Sequence, residues 1–241
     1  MNPDHVSSRP LVGEFLGSAL LAAIVVGSGI MAQRLSPGDA GLQLLQNAFA
    51  TALGLGVLIA LFQPISGAHF NPVVTIADAV LGARRWREAG PYLLAQILGC
   101  IGGAVLANVM FDAPAVSWST TARATSAHLI AEVVATAGLV LAIFVLARTG
   151  RASLAAPVVG AYIGAAYYFT ASTSFANPAI TIGRMFSDTF AGIAPTSTPA
   201  FILAQLVGGA VGLALAVWLT PQQRPAATVQ RADLVQASPD R

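Results

Sequence analysis

Residues 66–75 read Ser66-Gly67-Ala68-His69-Phe70-Asn71-Pro72-Val73-Val74-Thr75, and residues 172–182 read Ser172-Thr173-Ser174-Phe175-Ala176-Asn177-Pro178-Ala179-Ile180-Thr181-Ile182. In each, turn-forming residues lead into Asn-Pro and an apolar segment too short to cross a bilayer. Proline is tolerated at the first helical position because it has no N–H to leave unpaired, and the preceding asparagine can cap the helix start. Each Asn-Pro therefore begins a half-helix, with re-entrant segments predicted at 66–80 and 174–186.

The sequence around them is that of a membrane protein. Of 241 residues, 56% are hydrophobic and only 9% are charged, against about a quarter in a soluble domain; the mean hydropathy is +0.72. A helix needs about 20 apolar residues to span a bilayer core of about 30 Å, and the charge-free runs place six spans at 11–31, 43–62, 91–111, 128–147, 154–172 and 199–219. All twelve basic residues are arginine and the net charge is only +2, which argues against a nucleic-acid-binding face. The single Cys100 excludes a disulfide framework. No metal or cofactor is expected.

The two halves repeat. Glu14 opens the first span as Glu132 opens the fourth, Asn71-Pro72 answers Asn177-Pro178, and Gln96 in the third span answers Gln205 in the sixth. Three spans per half give the halves opposite polarity, an inverted repeat, with repeat one over 11–112 and repeat two over 128–220. Residues 1–10 read as a tail and 221–241 as a disordered tail. Nine arginines fall on the side of the termini and three on the other, which puts both termini in the cytoplasm. Non-helical backbone at membrane depth survives only where it is buried or lines water, so the two half-helices imply a lumen where they meet. Their N-termini point there, which repels cations.

On these residues the chain resembles the major intrinsic protein family, the aquaporins and aquaglyceroporins, over residues 9 to about 219. The resemblance implies an all-α fold of six transmembrane helices and two re-entrant half-helices, a homotetramer in the lipid bilayer, and a passive channel for water or small uncharged solutes, not an enzyme. It implies pore motifs at Asn71, Pro72, Val73, Asn177, Pro178 and Ala179, and loop support from Glu14 and Glu132. The chain departs from the family in two places. Val73 stands where the family has alanine, enlarging one side chain beside the central constriction. Ile180 stands where the family has its filter arginine. Carried over by position, the outer selectivity filter is Thr51, Ala165, Ser174 and Ile180, with Phe175 in place of Ser174 if the loop is shifted by one. Such a ring is wide and uncharged. It suits glycerol, urea or a neutral metalloid hydroxide such as arsenous acid, and the chain resembles a bacterial, arsenic-resistance-associated subgroup of the family, located in the inner membrane.

Arg184 lies four residues beyond Ile180. Either it replaces the missing arginine from one turn further out, or it lines the pore mouth or pairs with Asp188. The second reading is favoured, because one helical turn moves it about 6 Å from the Ile180 level. His69 is read as a loop histidine bonded to backbone, with a relay or gating role as the alternative. Two rival functions remain. An alternating-access transporter shares inverted repeats but needs ionisable coupling groups near the midplane. An intramembrane hydrolase needs a poised nucleophile, and Ser66 near His69 is better explained as a turn.

Overall fold

A computed structural model of the chain describes residues 8–221. Residues 1–7 and the tail from 222 onward, with His5, Arg224, Arg231 and Arg241, lie outside the described residues. The helices are α1 (Ser8–Leu35), α2 (Ala40–Ser66), α3 (Pro72–Val80), α4 (Trp86–Met110), α5 (Ser126–Arg148), α6 (Ala155–Phe169), α7 (Pro178–Gly183) and α8 (Thr198–Leu219). A single 3-10 turn precedes α6 at Ala152–Leu154, and another follows α7 at Arg184–Phe186. Among the described residues six helical segments, counting α6 with the 3-10 turn before it, are long and apolar enough to cross a membrane. α3 and α7 are not. They are the half-helices; with the loops before them, and with the 3-10 turn after α7, they fill the re-entrant stretches 66–80 and 174–186. α1 begins at Ser8, inside the stretch assigned to the tail.

Caps and small residues explain the layout. Asp39 accepts from the Leu42 N–H to start α2, which ends at Gly67 in the left-handed region (φ 91°). Left-handed backbone suits glycine, which has no Cβ to clash there. The longest packed pairs are α1 with α4 and α5 with α8. A Cβ on Gly103 would overlap the Ala19 carbonyl of α1, and one on the equivalent Gly212 would overlap the Ala137 carbonyl of α5. Small residues allow that approach in lipid, where packing rather than the hydrophobic effect holds helices together. Exposed leucines, valines and aromatics cover the outside, among them Phe49, Leu53, Val57 and Leu61 on α2. The core thus faces inward onto α3, α7 and their loops.

Candidate functional site

The two loops are built to one plan. Ala68 and Phe70 have positive φ (52° and 48°), and their repeat equivalents Ser174 and Ala176 do too (51° and 49°). Such backbone is costly for residues other than glycine, so something must hold it. In the first loop Glu14 does so. Its carboxylate accepts the His69 N–H (3.0 Å), the Phe70 N–H (2.7 Å), the Ser66 hydroxyl (2.6 Å) and the Gln96 amide (2.7 Å). In the second, Glu132 accepts the Phe175 N–H (2.9 Å), the Ala176 N–H (2.9 Å) and the Gln205 amide (2.6 Å). Both glutamates are fully buried, and N–H groups surrounding an anion offset its loss of water. Each glutamine also donates to a half-helix threonine, Gln96 to Thr75 and Gln205 to Thr181.

The asparagines then join the halves. Asn71 Oδ1 accepts the Val73 N–H at the start of α3, while Asn177 Oδ1 accepts the Ala179 and Ile180 N–H groups at the start of α7. Asn71 donates across to the Ala176 carbonyl (2.8 Å), and Asn177 donates back to the Phe70 carbonyl (2.7 Å). An amide nitrogen has two hydrogens, so each asparagine keeps one donor beyond this reciprocal pair. Both side chains line an internal channel.

That channel is narrow and mostly apolar. Its internal volume is about 70 Å³. On the side of the chain termini it opens into a wider vestibule lined by Gln63, His69 and Asp78. Between the two ends Leu21, Leu55 and Leu139 line the channel together with Asn71 and Asn177, and Val159 borders both it and the vestibule. Toward the far side its walls become Thr51, Tyr167, Ser174, Phe175, Ile180 and Arg184.

Three expectations need correction here. Ala165 does not line the channel: it is exposed, on a stripe with Ala161, Tyr168 and Phe169. At 100° per residue Ile163 and Tyr167 lie about 200° from Ala165, and these two face the cavity with Val159. Tyr167 donates its hydroxyl to Thr51 (3.2 Å). Counting back from Asn177 missed it because the count ignored helix phase.

Val73 is the second correction. It packs away from the channel with Ala77, Val140, Phe144 and Ala216, so its extra methyls do not narrow the passage. Gly209 on α8 makes the room, since a Cβ there would overlap Val73 Cγ1. At the equivalent position of α4 stands Cys100, buried in one cluster with Ala179. The larger and smaller partners are exchanged between repeats.

Arg184 is the third. It is neither at an open mouth nor paired with Asp188, whose carboxylate accepts the Thr120 N–H (2.9 Å) and hydroxyl (3.1 Å). Arg184 is only 2% exposed. Its Nε donates to the Ala191 carbonyl, and its guanidinium carbon lies 3.4 Å from the Phe175 ring centroid. The strand of loop after the 3-10 turn folds back and holds it beside the channel. The far-side walls are therefore neither uncharged nor free of aromatics.

The sequence singled out neither Tyr167 nor Arg123. Arg123, in the loop before α5, donates to the Gly192 and Phe190 carbonyls and lies 5.3 Å from the same Phe175 ring. Burial pushes its pKa below the ordinary value. His69 bonds side chains rather than backbone: Nδ1 lies 3.0 Å from Thr75 Oγ1 and Nε2 3.5 Å from Asp78. His128 bonds the Arg123 carbonyl (2.6 Å).

Comparison with known proteins agrees with this architecture. Residues 4–176 match the family model described as "Major intrinsic protein". The chain is 46% identical over 218 residues to aquaglyceroporin AqpS of Rhizobium meliloti, covering 90% of this chain and 93% of that protein. It is 30% identical to a glycerol uptake facilitator protein of Streptococcus pneumoniae, covering 86% and 96%. The crystal structure of the aquaglyceroporin from Plasmodium falciparum superposes with a TM-score of 0.67 at 24% identity, over 88% of this chain and 94% of that one; it shares the fold.

Proposed function

The chain belongs to the major intrinsic protein family, whose aquaglyceroporins are passive membrane channels, and on that footing we propose that it conducts small uncharged hydroxylated solutes such as glycerol, urea and neutral metalloid hydroxides like arsenous acid, together with water. The observation that carries this reading is the pair of asparagines, each with one amide donor left at the meeting point of two half-helix N-termini. A solute hydroxyl that loses water on entering an apolar tube regains an acceptor's partner there, and a cation meets only donors. The relatives named for glycerol support the polyol class.

In this proposal the outer constriction is Thr51, Tyr167, Ser174, Phe175, Ile180 and Arg184, with Asn71, Pro72, Asn177, Pro178 and Ala179 forming the central motifs and Glu14 and Glu132 supporting the loops. Arg184 supplies from one turn further along the positive charge that Ile180 lacks. The side of the termini is cytoplasmic, in a bacterial inner membrane, and four copies assemble. A coupled transporter finds no support: the two buried carboxylates are taken up by loop N–H groups and glutamine amides, which leaves them no role in binding a coupling ion.

Stopped-flow light scattering on proteoliposomes tests the reading. Glycerol equilibrates without any ion gradient and without saturation at millimolar solute. Saturable, gradient-dependent uptake overturns the channel.

A further inference from the structure

Among the described residues, Arg184 is the only Asp, Glu, Lys or Arg lining the channel, and its surroundings leave its charge unbalanced. A guanidinium removed from water carries a large desolvation cost unless an anion or acceptors replace the water. Its Nε has the Ala191 carbonyl and its face has Phe175. Its two terminal nitrogens, Nη1 and Nη2, have no hydrogen-bond partner among the described residues, and no carboxylate lies within ion-pair reach. Glu132 is committed to Phe175, Ala176 and Gln205, and Asp188 to Thr120.

Two further features sit at the same place. Ser174 Oγ is buried, unpartnered, and on a residue that lines the same cavity. Arg123 lies on the same aromatic ring, so the two guanidinium carbons are less than 9 Å apart. The far end of the channel thus concentrates two positive charges and at least three unused donors.

We propose that Arg184 and Ser174 form a binding site for a small trigonal oxyanion, a carboxylate such as formate, and that the bound anion plugs the channel. The two Nη groups form a fork that matches two carboxylate oxygens. Arg123 adds charge without contact. Beyond Ile180 the walls are mostly apolar, with Leu21, Leu55 and Leu139 beside the neutral Asn71 and Asn177 amides; no second guanidinium lines that stretch to draw the anion off the Arg184 fork, so it stays at the outer end. A neutral weak acid passes while its conjugate base holds the entrance. The plugging half of this proposal rests on the cavity being the solute path; the binding half does not.

The test uses the purified full-length protein. At pH 7 and equal ionic strength, sodium formate slows glycerol equilibration in proteoliposomes about tenfold at saturation relative to sodium chloride, and raises the melting temperature of the detergent-solubilised protein. Arg184→Gln loses both effects. Arg123→Gln weakens formate about two- to fivefold, the size of a screened charge at this distance. Arg184→Lys keeps the charge without the fork and weakens formate about tenfold, which covers the case that Arg184→Gln does not fold. Formate without effect on either melting or flux overturns the site, as does undiminished inhibition in Arg184→Gln or Arg184→Lys. A protein that conducts no glycerol at all refutes the channel reading, while the melting shift still decides the anion site.

Discussion

Replacing Gly209 by alanine places a methyl in steric overlap with Val73 Cγ1, with Val73 Cβ 3.6 Å away. Val73 cannot easily turn aside. Its β-branched side chain has one strongly preferred rotamer in a helix, and its backbone is held by the Asn71 cap and the Pro72 ring. Overpacking of this kind costs about 1–3 kcal/mol. The lower half of that range applies, because both residues border an apolar groove between α3 and α8 that gives some room. At about 2–4 °C per kcal/mol for a chain of this size, Gly209→Ala lowers the melting temperature in detergent by about 2–8 °C. Val73→Ala introduced with it removes the clash, and the pair recovers at least about 1 kcal/mol relative to the sum of the single losses. Glycerol flux per folded protein stays at the wild-type value in all three variants, because neither side chain faces the channel. Additive losses in the double variant refute the contact, and a flux change in Val73→Ala refutes its placement.

Glu132→Ala strands two buried loop N–H groups and the Gln205 amide; at about 1–3 kcal/mol each the loss is about 3–9 kcal/mol, read as failure to recover folded protein after solubilisation. Thr173 has φ 61° where the first repeat has Gly67, and a β-branched residue there is strained, so Thr173→Gly raises the melting temperature by the equivalent of about 1 kcal/mol. A bulky residue discriminates the two assignments on α6: Ala165→Trp leaves glycerol flux unchanged, while Tyr167→Ala changes it severalfold, both measured by light scattering.

The parts of the site legible in the sequence were those the repeat stated twice. Asn71 with Asn177, Glu14 with Glu132 and Gln96 with Gln205 are paired in the same order along the two halves, and the same three pairs carry the loop hydrogen bonds. What was illegible depended on helix phase and on distant packing. Ala165 and Tyr167 are two residues apart and face nearly opposite ways. Whether Val73 crowds the channel depended on Gly209, more than a hundred residues away. Arg184 looked like a mouth residue until residues 187–194 closed over it, a fold-back that carries no local signal. The six spans were readable because hydropathy reports them directly, and the half-helix starts because each is marked by Asn-Pro.

The reciprocal asparagine bonds join residues 105 and 107 positions apart in the chain. At about 5–20 residues per second of synthesis, the first loop waits about 5–20 s for the segment that completes it. Throughout that interval the Phe70 carbonyl and one Asn71 donor lack their mates, while Glu14 and Gln96 already brace the loop from within the first half. Translation itself therefore sets the assembly order: the earlier loop is a template made to endure alone, and the later one docks onto it.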